Sequence, residues 1–251
     1  MQLLVSWKNS LSLFKPSNFK VFLSDVLKSL KQTYPVWFKY WWWVMGLYLV
    51  GVATIPFFKQ KWLMSFILDG SSWMTVPQIE LGVLSLILFV TAFLSARSSS
   101  ETKNYWYFLS YAWKFLFIDM VLSVVGRLFM LIESHLYGVG IMTGFAITIP
   151  LVICLIFLNL FFILFELDST SYMLIKPFFY SARMVIYNLP FCIVTGFALL
   201  GLFQLTDVIV VGSIRCIGHE DIAYCAEAFT QILFVPIIAC VVTIYYNMKK
   251  S

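Results

Sequence analysis

Charged side chains are scarce in this sequence. Asp, Glu, Lys and Arg make up 12% of its 251 residues, whereas soluble domains carry about a quarter. Hydrophobic residues reach 61% instead, and the mean hydropathy is +0.90. This balance excludes a soluble globular domain as the main body of the chain. It indicates an integral membrane protein.

Residues and motifs typical of catalysis are also few. The chain has only two histidines, His135 and His219. It contains no P-loop, no H-E-x-x-H and no G-x-S-x-G pattern. The longest predicted non-spanning segment is about the first 36 residues, so an enzyme would need its whole site in the membrane or in short loops. We therefore expect a non-enzymatic protein without a cofactor. The net charge of +5 does not by itself indicate a nucleic-acid partner.

Apolar windows predict six transmembrane helices, because one span needs about 20 mostly apolar residues. The predicted spans are about 38–58, 80–97, 113–132, 142–165, 190–211 and 228–247. The third span is the least regular, since it contains two charged residues. The expected fold class is all-α: a polytopic membrane protein forming a single membrane domain over residues 1–251, with additional amphipathic helices at the N-terminus and before the fifth span.

The distribution of basic residues predicts the orientation. With a cytoplasmic N-terminus, most of the 17 basic residues fall on the inner side. The outer side keeps only Lys59, Lys61, Arg127 and Arg215. This asymmetry follows the positive-inside rule, and six spans return the C-terminus to the cytoplasm. We therefore expect a cell inner-membrane protein with both termini inside.

The segment 1–36 is predicted to carry a basic amphipathic helix on the inner membrane surface. Its apolar residues repeat at helical spacing, at Phe19, Phe22, Leu23, Val26, Leu27 and Leu30. Ser17 can cap its start, and Pro35 is predicted to follow its end. Lys20, Lys28 and Lys31 lie off the apolar stripe, where anionic lipid would add about 1 kcal/mol for each nearby lysine.

A tryptophan cluster, "WFKYWWW", follows this helix. Trp37, Trp41, Trp42 and Trp43 are predicted to anchor the chain at the membrane interface, where amphipathic rings settle. A ligand-binding role for the same rings is the less favoured alternative.

A second surface helix is predicted before the fifth span, in "KPFFYSARMVIYNLP". Pro177 suits a first helical turn, and Pro190 cannot extend the hydrogen-bond ladder unbroken. We therefore expect a bend near Asn188, followed by the fifth span.

The stretch "RCIGHEDIAYC" is predicted to lie in the outer loop between the last two spans. Because the bacterial periplasm is oxidising, a Cys216–Cys225 disulfide is the favoured interpretation. It would close a short loop and stabilise the protein by about 2.5–3 kcal/mol. Free thiols are the second interpretation. The third is a metal site of the two thiols with His219 and a neighbouring acid, although this spacing matches no strong zinc pattern. Three further cysteines fall within predicted spans and are expected to pack as small hydrophobes: Cys154, Cys192 and Cys240.

Asp119 and Arg127 are the charges inside the third predicted span. Charged residues in spans are functional candidates by default. They are separated by about 80° around a helix and about 12 Å along it, so they cannot pair directly. Asp119 either serves a proton or cation relay or pairs with a cation of a neighbouring segment, such as Arg183.

The order of these parts resembles the YciC-like bacterial inner-membrane proteins of unknown function. The stretch "WKFLFIDMVLSVV" is similar to the third-span entry of that group. The stretch "FFYSARMVIYNLP", with Ser181 and Asn188, is similar to its helix before the fifth span. The resemblance implies six helices, no assigned catalytic residues and a role in the cell envelope.

Two hypotheses for function follow. The first is a non-enzymatic protein that supports the envelope or acts as the partner subunit of another membrane protein, in contact with the lipid bilayer. The alternative is a small transporter or channel that uses Asp119. A transporter should line a central cavity with polar side chains from several spans, whereas a packed bundle should bury mainly apolar residues.

Overall fold

The computed structural model describes residues 2–67, 76–97, 141–168, 175–217 and 220–250. These residues form seven α-helices and no strands: α1 (Gln2–Ser12), α2 (Pro16–Ile67), α3 (Val76–Arg97), α4 (Ile141–Asp168), α5 (Ile175–Tyr187), α6 (Leu189–Cys216) and α7 (Glu220–Lys250). The predicted all-helical class is confirmed for this part of the chain.

Three helical stretches are long and apolar enough to cross a membrane: Ile149–Asp168, Leu189–Cys216 and Cys225–Lys250. They correspond to the predicted fourth, fifth and sixth spans. A shorter apolar stretch, Ile87–Arg97, coincides with the end of the predicted second span. These helices indicate a membrane protein. The predicted third span, 113–132, lies outside the described residues, so the number of six remains a prediction.

Helix α2 is longer than the sequence predicts. It has 52 residues, which corresponds to about 78 Å, against about 30 Å for the hydrocarbon core of a bilayer. The predicted surface helix does not end at Pro35, because the helix continues through this exposed residue. Contacts on both sides of the proline hold the helix to its neighbours: the Tyr34 hydroxyl donates to the Leu233 carbonyl, and Trp37 Nε1 donates to Thr91 Oγ1 at 3.0 Å.

Helix α2 packs against α3 and α7, and α4 packs against α5 and α6. Helix α6 also contacts α7, which joins the two groups. The core between them is rich in aromatic side chains. The largest fully buried ones are Trp37, Phe93, Phe161, Phe162, Phe191 and Tyr245.

The α4–α6 contact depends on one small residue. A Cβ atom added to Gly196 of α6 would overlap the side chain of Ile153 on α4. Small residues allow helix backbones to approach closely in membranes. Gly196 is therefore the point where α6 is held against α4.

One end of the bundle carries many of the basic residues of the described ranges, and we call it the basic end. We define it by four residues: Arg97, Asp168, Asn188 and Lys250. These residues lie at helix ends, and the contacts described below bring those helix ends together. The helix segments at this end carry Lys8, Lys15, Lys20, Arg97, Lys176, Arg183, Lys249 and Lys250.

Candidate functional site: the helix break at Asn188

The polypeptide bends between α5 and α6 at Asn188. Pro190 is the second residue of α6 and has no N–H, so it cannot donate to the carbonyl four residues earlier, that of Ile186. The backbone N–H of Asn188 still bonds to the carbonyls of Met184 and Val185, at 3.1 and 3.2 Å. The bend that the sequence predicts near Pro190 is therefore confirmed.

Side chains of α1 satisfy the carbonyl groups that the break leaves free. Trp7 Nε1 donates to the Ile186 carbonyl at 2.9 Å, which is the acceptor that Pro190 cannot serve. Ser6 Oγ donates to the Tyr187 carbonyl, also at 2.9 Å. Unpaired carbonyls in an apolar environment cost free energy, so α1 stabilises the bent connection.

A buried polar cluster joins three helices at the same place. Asn188 Oδ1 accepts a hydrogen bond from Ser10 Oγ of α1 at 2.9 Å and another from the Tyr245 hydroxyl of α7 at 2.7 Å. The two hydroxyl oxygens lie 3.2 Å apart. The Asn188 amide donates to the Met184 carbonyl at 2.8 Å. Ser10, Asn188 and Tyr245 are all buried, so these bonds replace contacts with water.

An aromatic layer covers this polar cluster. The Phe191 ring stacks parallel to the Tyr245 ring. It also contacts Phe14, Phe22 and Phe157, with ring centroids 6.0 to 6.4 Å apart. Rings at this separation attract one another in addition to the free energy of burial. The layer places the turn between α1 and α2, the start of α2, α4 and α7 around the start of α6.

A second polar cluster at the basic end is centred on Asp168, the last residue of α4. Its carboxylate forms an ion pair with Arg97 at the end of α3 and accepts from Lys250 Nζ at 2.6 Å. It also accepts from the Tyr246 hydroxyl at 2.7 Å. The cations suit the negative ends of α3 and α7, and the carboxylate joins three helix ends.

The chemistry of both clusters favours fixed helix positions. Amide and hydroxyl groups bond to one another or to backbone carbonyls, and the charged groups are paired. In the described ranges, no group of three or more His, Cys, Asp or Glu side chains is placed to hold a metal ion.

The predicted lipid-contacting lysines of α2 are solvent-accessible. Lys20, Lys28 and Lys31 are all exposed, as contact with lipid headgroups requires. Contact with anionic lipid remains a prediction.

The prediction of four tryptophan anchors is wrong for Trp37 and Trp41. Both are buried among the helices, because they lie one turn apart on the face of α2 that packs against other helices. Trp42 and Trp43 are exposed, at 67% and 43%. Only these two present surface for the predicted interfacial contact.

Cys216 and Cys225 are free thiols in this structure, so the favoured disulfide is not formed in it and oxidation remains a prediction. His219, proposed for a metal site, lies outside the described residues, as do Asp119 and Arg127. Cys192 and Cys240 are buried, as expected for cysteines that pack as small hydrophobes, whereas Cys154 is half-buried.

The sequence analysis did not identify Ser6, Trp7 and Ser10 as residues that contact the break. Their positions, i, i+1 and i+4, place them on one helical face, but the sequence offers no sign of the distant carbonyls that they bind. Asp168 was also missed. The sequence does contain a hint of its role. Asp168 directly follows an apolar span, and basic residues end two other predicted spans on the same side of the membrane.

The comparisons with known proteins identify no family. No family model matches the chain, and neither the curated proteins nor the solved structures contain a match.

Proposed function

We propose that this chain is a non-catalytic, multi-pass membrane protein that binds a second membrane protein as its partner subunit. The contact surface is a stripe on α6 formed by Gly201, Gln204, Val208 and Gly212. These residues lie at i, i+3, i+7 and i+11, so they share one face of the helix.

The observation that carries the proposal is the exposure of α6 beyond its first two turns. Its start packs against α4 and α7, but Leu205, Val208 and Ile209 are each more than half exposed. Helix α6 is also a complete candidate span. Phe203 and Arg215 still contact α7, so the exposed residues form one long side of α6, and this side has surface for another helix.

The chemistry of the stripe favours a protein over lipid as its neighbour. A Cβ atom added at Gly201 or Gly212 would meet nothing within 4 Å, so a second backbone has room to approach. Gln204 is exposed in the same stripe. An amide that faces hydrocarbon lacks hydrogen-bond partners, whereas a polar group on a neighbouring helix supplies one.

Site-specific photo-crosslinking tests this proposal. A photoreactive amino acid replaces Val208, which is 66% exposed, and in a matched control it replaces Val50 of α2, which is 61% exposed. We expect a protein adduct of one discrete mass from position 208 and none from position 50. The substitution Gln204→Leu should reduce its yield. Adducts with lipid only, or cross-links within the chain, would contradict the proposal.

The proposed arrangement keeps six helices, as the YciC-like resemblance implies, with both termini in the cytoplasm and a location in the inner membrane. The clustering of basic residues at one end supports this orientation. Cysteine labelling in intact cells tests it, in a background without the native cysteines. An impermeant maleimide should label Ile217→Cys and leave Lys20→Cys unlabelled; the reverse pattern would invert the topology.

The transporter alternative depends on Asp119, which lies outside the described residues. No described contact favours it, and it remains a prediction from the sequence.

A further inference from the structure

A groove of about 430 Å³ lies between α2, α3, α6 and α7. Binding sites for small molecules generally have volumes of 300–1,000 Å³. Most of the groove wall is apolar and includes Leu88, Phe89, Phe203, Ile232, Val235 and Ile238. Because α6 and α7 are candidate spans, a molecule that enters this groove comes from the membrane.

The rim of the groove is polar and lies toward the end of the bundle opposite the basic end. The Tyr48 hydroxyl donates to Gln231 Oε1 at 3.3 Å. This bond leaves the Gln231 amide N–H groups to donate outward. One turn before Gln231 in α7, the Glu227 carboxylate lies 3.6 Å from the guanidinium of Arg215, and both groups are partly exposed.

Polarity therefore changes in steps along one face of α7. Glu227, Gln231, Val235 and Ile238 lie at i, i+4, i+8 and i+11, which places them in one row. The row begins at an ion pair, passes a hydrogen-bonding amide and ends in an apolar wall. A membrane phospholipid has the same order of groups: a phosphate, ester carbonyls and an acyl chain.

We propose that the groove binds one phospholipid, with an acyl chain against Val235 and Ile238. An ester carbonyl accepts from the Gln231 amide, and the phosphate accepts from Arg215. The guanidinium has five N–H donors, so it can bind a phosphate while it remains near Glu227.

Two acids lie on this side of the groove. Pairing with Arg215 reduces the repulsion between Glu227 and the phosphate, and Asp207, one turn from Phe203 on α6, has a buried carboxylate oxygen.

This lipid site does not depend on the proposed partner subunit. Phe203 lines the groove, whereas Val208 of the partner stripe lies about 140° away around α6. One contact can therefore fail its test without affecting the other.

Native mass spectrometry of the detergent-purified chain tests the proposal, with dioleoyl phosphatidylglycerol and dioleoylglycerol added as probes. We expect the wild type to retain one phosphatidylglycerol molecule and to bind dioleoylglycerol about tenfold more weakly, because the latter lacks the phosphate that Arg215 binds. The substitution Ile238→Trp fills the groove and should abolish retention. Ile156→Trp, on the exposed face of α4, is the matched control and should bind as the wild type does.

Two milder variants keep the test decisive if Ile238→Trp does not fold. Tyr48→Phe removes one hydroxyl that orients Gln231 and should weaken phosphatidylglycerol binding about fivefold. Arg215→Gln should remove the preference for phosphatidylglycerol over dioleoylglycerol. Equal binding of both probes by the wild type would overturn the proposal, as would unchanged binding in Ile238→Trp or in both milder variants.

Discussion

Replacement of Gly196 by alanine tests whether α6 is held against α4 as the structure describes. The added Cβ atom would overlap the side chain of Ile153, at its Cγ2 atom. Ile153 is itself buried, so its side chain has little space into which to move. Either the isoleucine changes rotamer or the two helices separate.

The expected cost follows from two opposing effects. Overpacking of a well-filled core costs about 1–3 kcal/mol. Alanine gains about 0.5–1 kcal/mol over glycine in a helix. The substitution Gly201→Ala, on the same helix, gains the helix propensity of alanine without the cost of overpacking, because its added Cβ atom meets nothing within 4 Å. The two variants should therefore differ by about 1–3 kcal/mol in unfolding free energy.

Thermal unfolding of the detergent-purified chain measures this difference. In a protein of this size, about 1 kcal/mol shifts Tm by about 2–4 °C, so Gly196→Ala should melt several degrees below Gly201→Ala. A double-mutant cycle with Ile153→Ala identifies the cause. Once the isoleucine is truncated, the added methyl at position 196 should no longer destabilise, which gives a coupling of about 0.5–3 kcal/mol.

Equal melting temperatures for Gly196→Ala and Gly201→Ala would refute this reasoning. So would a penalty for Gly196→Ala that persists unchanged in the Ile153→Ala background, because the clash would then lie elsewhere.

Three further predictions concern the polar contacts and the thiols. Asn188→Ala leaves two buried hydroxyls without their common acceptor and should cost about 1–3 kcal/mol; faster hydrogen exchange in α1 would confirm that the helix is released, and unchanged exchange would contradict it. Asp168→Asn removes the charge between two cations and should lower Tm in low-salt buffer, with a smaller loss in high salt; a loss independent of salt would contradict the ion-pair account. Cys216 and Cys225 should escape alkylation when the protein is prepared from membranes without reductant, and labelling of both would show that the disulfide does not form.

The bend between α5 and α6 could be predicted from sequence because its cause is local. Pro190 removes one hydrogen-bond donor whatever surrounds it. The burial of Asn188 could not be predicted in the same way. Its partners Ser10 and Tyr245 are 178 and 57 residues away, and no local pattern indicates that they meet.

The continuation of α2 through Pro35 shows the opposite case. A proline inside a helix costs about 3 kcal/mol or more, and the sequence therefore predicts an end there. Contacts from α3 and α7 on both sides of the proline oppose that cost. Local propensity was overridden by tertiary packing, which a single sequence does not display.

The tryptophans of α2 were misassigned because residue type alone does not say what a ring contacts. The better signal was spacing. Thr33, Trp37, Trp41 and Val44 follow helical periodicity and are all buried, whereas Trp42 lies off this row and is exposed. Aromatic composition indicates a membrane protein, but only periodicity separates a packed tryptophan from an interfacial one.

The contact between α1 and α7 has a consequence for the order of assembly during synthesis. Ser10 and Tyr245 are 235 residues apart in the chain. At about 5–20 residues per second, a ribosome takes roughly 10–50 s to reach the second residue after the first. For most of that interval α1 lies outside the ribosome, but the tyrosine that completes its buried cluster does not yet exist. The first helix of the described chain is therefore among the last to reach its final position, and shortening α7 before Tyr245 should leave α1 accessible to protease in the finished protein.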